Sequence, residues 1–249
     1  MHRSLAARTM GKNAGLSRET GGGALANGGR GLLLPRELAR APATRIELEE
    51  ADWLPPVEKP EAVIYRVRSG VLAAGPGAGD NAAQVAEFYY PGDVILPAAA
   101  NEQPLCLRAV SAATLDAWNL EAFRRHANGQ ACLSLALFEL ARDDLSRRLE
   151  RSGRMRRLNV EARFATFLLE AAQRLDGASK GTASFSLPMS RNEIAGYLGL
   201  RTETLCRVIR RWRDEGLIAL DGPRQIEIPD LDALRSLIEA SLQGVVRPH

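Results

Sequence analysis

Cysteine is scarce in this chain of 249 residues. Cys106, Cys132 and Cys206 are the three it has, odd in number and far apart. That argues against a disulfide framework and against any closely spaced thiolate metal site, and it fits a cytoplasmic location. Histidine is equally rare: His2 and His249 lie near the ends and His126 stands alone between them. No resident metal is therefore expected. No apolar run approaches the roughly 20 residues needed to cross a bilayer. The basic residues near the start are followed by no continuous apolar region, so neither a membrane span nor a secretory signal is expected. Paired carboxylates, a Ser/His/Asp set, a Walker motif and zinc spacing are all missing, which argues against an enzyme.

What is present fits a soluble globular protein with room for two domains: 45% hydrophobic and 25% charged residues. The net charge of +3 is small, but its distribution is uneven. Arginine concentrates between Arg142 and Arg157 and again between Arg201 and Arg213. Clustered arginine is what contact with phosphate needs, but for the first cluster a solvated helix face is the better reading.

Residues 1–34 hold eight glycines and few large apolar side chains, so a disordered tail is expected there. Residues 35–125 read as short alternating strands. AVIYRVRSGVLAA (62–74) alternates around a Ser69–Gly70 turn, and QVAEFYYPGDVI (84–95) is two strands around Pro91–Gly92–Asp93. LCLRAVSAATLDAW (105–118) repeats the pattern, which predicts an antiparallel sandwich or barrel. Between 126 and 158 the period changes. Leu133, Leu137, Leu140, Ala141, Leu145, Arg148 and Leu149 recur at threes and fours, which predicts one long amphipathic helix. A symmetric partner helix is the economical cover for its stripe.

Residues 159–249 carry the sharpest pattern. A helix over 160–176 ends at Gly177, and SFSLPM is a short strand. Ser190 and Glu193 form a capping box for the next helix. In RNEIAGYLGLRTETLCRVIR (191–210), Ala195 allows two helices to cross closely and Gly199 fits a tight left-handed turn. Ile194, Leu198, Leu200, Leu205 and Val208 fall at buried positions. A second helix follows with Thr202, Glu203, Cys206 and Arg207 on its outer face. LIALDGPRQIEI (217–228) reads as a two-stranded wing, and a final helix follows Asp230. This is a winged helix-turn-helix, a unit that places its second helix in the DNA major groove.

With these motifs the chain resembles the CRP/FNR regulators, and LPMSRNEIAGYLGLRTETLCRVIRRWRDEGLI is most similar to their FNR and FixK branch. The resemblance covers about residues 35–242 in architecture and is sharp in 187–218. It implies an α+β fold: an N-terminal antiparallel β-roll like that of cyclic-nucleotide-binding proteins, a long dimerisation helix over 126–158, and a C-terminal winged helix-turn-helix. The family's E-T-x-S-R signature falls on Glu203, Thr204, Leu205, Cys206 and Arg207. By that analogy Glu203 accepts from a cytosine amino group and Arg207 reads a guanine or the adjacent phosphate. Ser190, Arg191, Arg201, Thr202, Thr204 and Arg210 complete the expected DNA-binding set. Cys206 replaces the serine, and as a thiol facing DNA it is also the candidate redox-sensitive position.

The resemblance also bears on cofactors. Cyclic-nucleotide binders need a glutamate and an Arg-Ser pair for ribose and phosphate. Here Pro97 stands at the glutamate position, and Gln103 and Pro104 lie where that pair is expected, which argues against a cyclic nucleotide. The FNR-type iron–sulfur cluster needs four cysteines, three of them near the N-terminus. No cysteine precedes Cys106, so that cluster cannot be built within one chain. His126 is expected at the surface rather than on haem. The expectation is a homodimeric transcription regulator without a cofactor, binding a TTGAT-like inverted repeat and activating through RNA polymerase. The alternative is a sensor whose winged helix contacts proteins; the arginine-rich outer face opposes it.

Overall fold

The computed structural model describes residues 42–54, 63–76, 84–96, 105–119, 131–175, 177–179 and 181–244. The expected tail (1–34), His126 and the expected ligand-contact stretch around Pro97, Gln103 and Pro104 lie outside these residues.

Among the described residues eight strands form the N-terminal part: β1 (Thr44–Leu48), β2 (Trp53–Leu54), β3 (Val63–Ser69), β4 (Leu72–Pro76), β5 (Glu87–Tyr89), β6 (Val94–Ile95), β7 (Leu105–Ala109) and β8 (Ala113–Asn119). They make two antiparallel four-stranded sheets, ordered β1-β8-β3-β6 and β2-β7-β4-β5. The sequence pairs β3/β4, β5/β6 and β7/β8 look like hairpins, but in each the two strands belong to opposite sheets. Each turn is a corner of the roll. At the β3–β4 corner Gly70 has φ +79°, and a Cβ there would meet Ala112 O at 2.2 Å, so only glycine fits. Alternation has period two whichever neighbour a strand pairs with, which is why the pattern predicts strands without predicting their partners.

The interior of the roll is filled from both sheets by Tyr65, Val67, Leu72, Tyr89, Ile95, Leu107 and Leu115. The second sheet is buried on its outer face too. Val71, Ala73, Phe88, Tyr90 and Val110 join the core of the C-terminal part. Hence Val71-Leu72-Ala73-Ala74 is apolar throughout: its residues serve two cores alternately.

Among the described residues five helices follow: α1 (Ala131–Arg157), α2 (Val160–Arg174), α3 (Arg191–Leu198), α4 (Thr202–Asp214) and α5 (Leu231–Gly244). Strands β9 (Ala183–Ser186), β10 (Ala219–Asp221) and β11 (Gln225–Ile228) form a three-stranded sheet in the order β10-β11-β9. The 27 residues of α1 span about 40 Å. Leu135, Phe138, Leu145 and Leu149 on this helix are exposed, each by more than half its surface. Leu145 and Leu149 belong to the stripe expected from the sequence; Leu135 and Phe138 do not, and Leu140 is buried. The side chains of Cys132, Leu133 and Leu137 lie outside the described set.

Within the winged helix, Phe164 and Phe167 of α2 and Trp212 of α4 are fully buried. The Phe164 and Trp212 ring centres are 5.1 Å apart. We expect Trp212→Ala to cost about 3–5 kcal/mol, from lost transfer energy and the cavity left behind, read as a lower urea midpoint at unchanged slope.

Candidate nucleic-acid interface

The helix-turn-helix is built as its residues require. Ser190 Oγ accepts from the Glu193 amide at 3.2 Å, and Glu193 Oε2 accepts from the Ser190 amide at 2.8 Å. This closes the capping box at the start of α3. At its end Gly199 takes the left-handed conformation, φ 66°, and the Leu200 amide donates to Ala195 O at 2.8 Å. Ala195 is 1% exposed at the crossing. Leu205, Val208, Ile209 and Trp212 are buried at spacings of three and four, so α4 has one fixed face and one free face.

The free face carries most of the expected contact residues. Arg201 precedes α4 and makes no side-chain cap, and Glu203, Arg207 and Arg210 are exposed. Thr204 and Cys206 are half-buried. Ser190 and Arg191 are exposed at the start of α3. Arg191 Nη1 donates to the Cys206 sulfur at 4.0 Å, bringing the first turn of α3 beside the second turn of α4. The Thr202 hydroxyl is engaged with Asn192 Oδ1 at 2.9 Å. The set expected from sequence is thus brought to one surface, with Thr202 and Ser190 occupied in bracing and capping.

Neighbouring arginines are committed elsewhere. Arg211 pairs with Glu161 of α2 and with Glu215, and Arg213 pairs with Asp214. Arg163, whose place in the sequence attracts no notice, donates to Leu158 O at 3.0 Å and to Leu198 O at 3.3 Å. It ties the end of α1 to the end of α3. No periodicity could have found Arg163 or Asn192, because each acts across the tertiary fold. On the inner side of α3, Tyr197 is half-buried, and desolvation of its phenol pushes it well above the ordinary value, so it stays neutral. Its ring lies 4.8 Å from that of Phe88 in the roll.

The wing, β10 and β11, turns through Gly222, Pro223 and Arg224, with Arg224 in the turn itself. A braced recognition helix beside a wing, both attached to a β-roll, defines a winged-helix DNA-binding regulator. The model of the Crp-like helix-turn-helix domain matches residues 162–237. Over 173 residues the chain is 33% identical to the nitrogen fixation regulation protein FixK of Rhizobium meliloti, covering 70% of this chain and 77% of that one. It is 39% identical over 85 residues to the transcriptional activator protein anr of Pseudomonas aeruginosa, 34% of each chain. The solved structure of FixK2 from Bradyrhizobium japonicum shares the fold, with a TM-score of 0.66 at 24% identity over 79% of this chain and 98% of that one. The chain belongs to the CRP/FNR family of transcription regulators, in its FixK-like branch.

The geometry separates two adjacent arginines. We expect Arg210→Ala to lower the slope of log affinity against log salt by about 1, because a free guanidinium on this face neutralises one phosphate. Arg211→Ala should leave that slope unchanged and shift the unfolding midpoint slightly instead.

Proposed function

We propose that this regulator works as a homodimer whose two α4 helices read an inverted repeat with TTGAT-like half-sites. We further propose that it activates transcription by contacting RNA polymerase. The observation that carries the reading is the free face of α4: Arg201, Glu203, Arg207 and Arg210 stand clear of the protein while the opposite face is buried. An acceptor and a guanidinium four residues apart on one helix face suit a cytosine amino group and a guanine edge. The exposed apolar residues of α1 support the dimer. Positions 135, 138, 145 and 149 follow the three-and-four spacing of a coiled-coil seam, with Arg142 interrupting it. The activator role follows the name of the anr relative. The reading requires no cofactor, and it places the protein in the cytoplasm with DNA.

Ser190 and Arg191 take the backbone phosphate beside the recognition helix in this reading, and Thr202 and Thr204 approach it from the start of α4. Cys206 is the proposed redox-sensitive position. A peroxide converts its thiol to the sulfenic acid and releases water, adding a polar oxygen where the helix meets DNA.

The test is a gel-shift titration of the reduced protein on a TTGAT-type inverted repeat and a scrambled control. Glu203→Ala and Arg207→Ala should each weaken specific binding by about 1–3 kcal/mol, roughly 5- to 150-fold, and leave binding to the scrambled control little changed. Equal affinity for both DNAs would overturn the reading and favour a winged helix that contacts protein. Peroxide should weaken wild-type binding and spare Cys206→Ser. For the dimer, Phe138→Glu buries nothing new in a single chain but puts a charge into the seam; sedimentation should show a monomer where the wild type is a dimer.

A further inference from the structure

The covalent link between α1 and the winged helix is two residues, Leu158 and Asn159. A joint that short fixes where the winged helix begins but leaves its angle about the joint open. A second tether is needed to define the angle, and one crosses from the roll. Arg108 of β7 lies with its guanidinium 6.0 Å from the centre of the Trp53 ring and ion-pairs with Glu193 Oε1. Both side chains are well buried, with 17% and 10% of their surface exposed. Glu193 is the same residue whose other oxygen caps α3. One carboxylate therefore joins the roll to the first turn of the helix-turn-helix, and α4 follows α3 through the tight turn at Gly199.

Other contacts cross the same junction. Phe88 packs on Tyr197, and Arg151 of α1 bridges Glu87 of the roll to the Tyr197 ring, 4.0 Å from its centre. Arg174 of α2 pairs with Asp93. Glu50 meets Arg224 of the wing at 3.0 Å, but both side chains are more than half exposed and water screens them. Apolar contacts are non-directional and hold the two bodies together. The Arg108–Glu193 contact is charge-assisted, largely shielded and directional, and it acts on the helix that carries the recognition helix.

We infer that Arg108 is a positioning residue for DNA recognition: by holding Glu193 it fixes the angle of the winged helix on the roll. In the dimer it thereby sets the half-site spacing that the protein accepts. The second part rests on the proposed dimeric reading of an inverted repeat. The chain of support runs from α1 through Arg148, which donates to the Tyr89 hydroxyl at 3.2 Å, and Arg151 to the roll. From the roll it passes through Arg108 to α3 and so to α4. Each base pair inserted between half-sites moves one of them by about 3.4 Å and rotates it by about 34°, so an angle held rigidly allows few spacings.

Two variants test this with the full chain. Arg108→Gln removes the charge from the roll side. Glu193→Gln removes it from the helix side and keeps the capping box, which glutamine at that position also completes. Binding is measured to inverted repeats with the centre lengthened or shortened by one and two base pairs. The wild type should lose about tenfold or more per base pair of departure from its best spacing. Each variant should flatten that profile to less than about threefold, and the double variant should be no flatter than either single one, since all three break the same ion pair. Small-angle scattering of the DNA-free protein should show a broader distance distribution in both variants. A sharp, unshifted spacing profile in the variants overturns the inference and leaves the dimeric reading intact. If the wild type binds no inverted repeat, the dimeric reading falls, and the scattering decides the positioning role alone: curves identical to wild type overturn it.

Discussion

The burial of Trp212 against Phe164 is the contact on which the DNA-facing surface depends. It fastens α4 to α2 from the inside, with Leu205, Val208 and Ile209 completing the same face. Because every apolar position of α4 is used inward, its arginines and Glu203 have nowhere to go but outward. The recognition surface is in this sense the complement of the core. Its stiffness is inherited from aromatic packing rather than from contacts the DNA-reading side chains make among themselves.

That same core does not stop at the winged helix. Phe164, Phe167 and Tyr197 continue into Phe88, Val71 and Val110 of the second sheet, so the roll and the winged helix share one apolar interior. Polar contacts are laid over this seam in a consistent way. Arg108 of the roll and Arg174 of α2 each find a carboxylate across it, and Arg151 of α1 pairs with Glu87 while lying over the Tyr197 ring. A buried pair of this kind adds little net stability beside an apolar equivalent, but breaking one partner is costly. Such pairs suit a junction whose geometry matters more than its strength.

Arginine has two distinct uses in this chain, and position in the sequence does not separate them. Arg207 and Arg210 stand free on α4, while Arg211, one residue further, is drawn back to Glu161 of α2. Arg148 and Arg151 belong to the first arginine cluster, which reads as a solvated helix face, yet both reach the roll. Those two arginines are structural connectors, and the second cluster is only partly a free face.

The helix-turn-helix was legible because its constraints are local. A capping box at Ser190 and Glu193, a small residue at Ala195, a left-handed turn at Gly199 and a three-and-four apolar spacing on α4 are each set by residues within a few positions of one another. The wing and the final helix were legible for the same reason, through the Asp221–Gly222–Pro223 turn and the Asp230 cap. Strands of the roll were legible as strands, but not as neighbours. Their alternation is the same whether a turn makes a hairpin or a corner, and only the packing of two sheets against each other selects the corner. The sequence by itself thus determined the secondary elements, the class of DNA-binding unit and the face of α4 that meets solvent. The tertiary structure alone decided which strands pair, which arginines remain free, and that Glu193 serves the roll as well as its own helix. Most of those outcomes depend on residues from different elements meeting in space, and no short-range pattern encodes such a meeting.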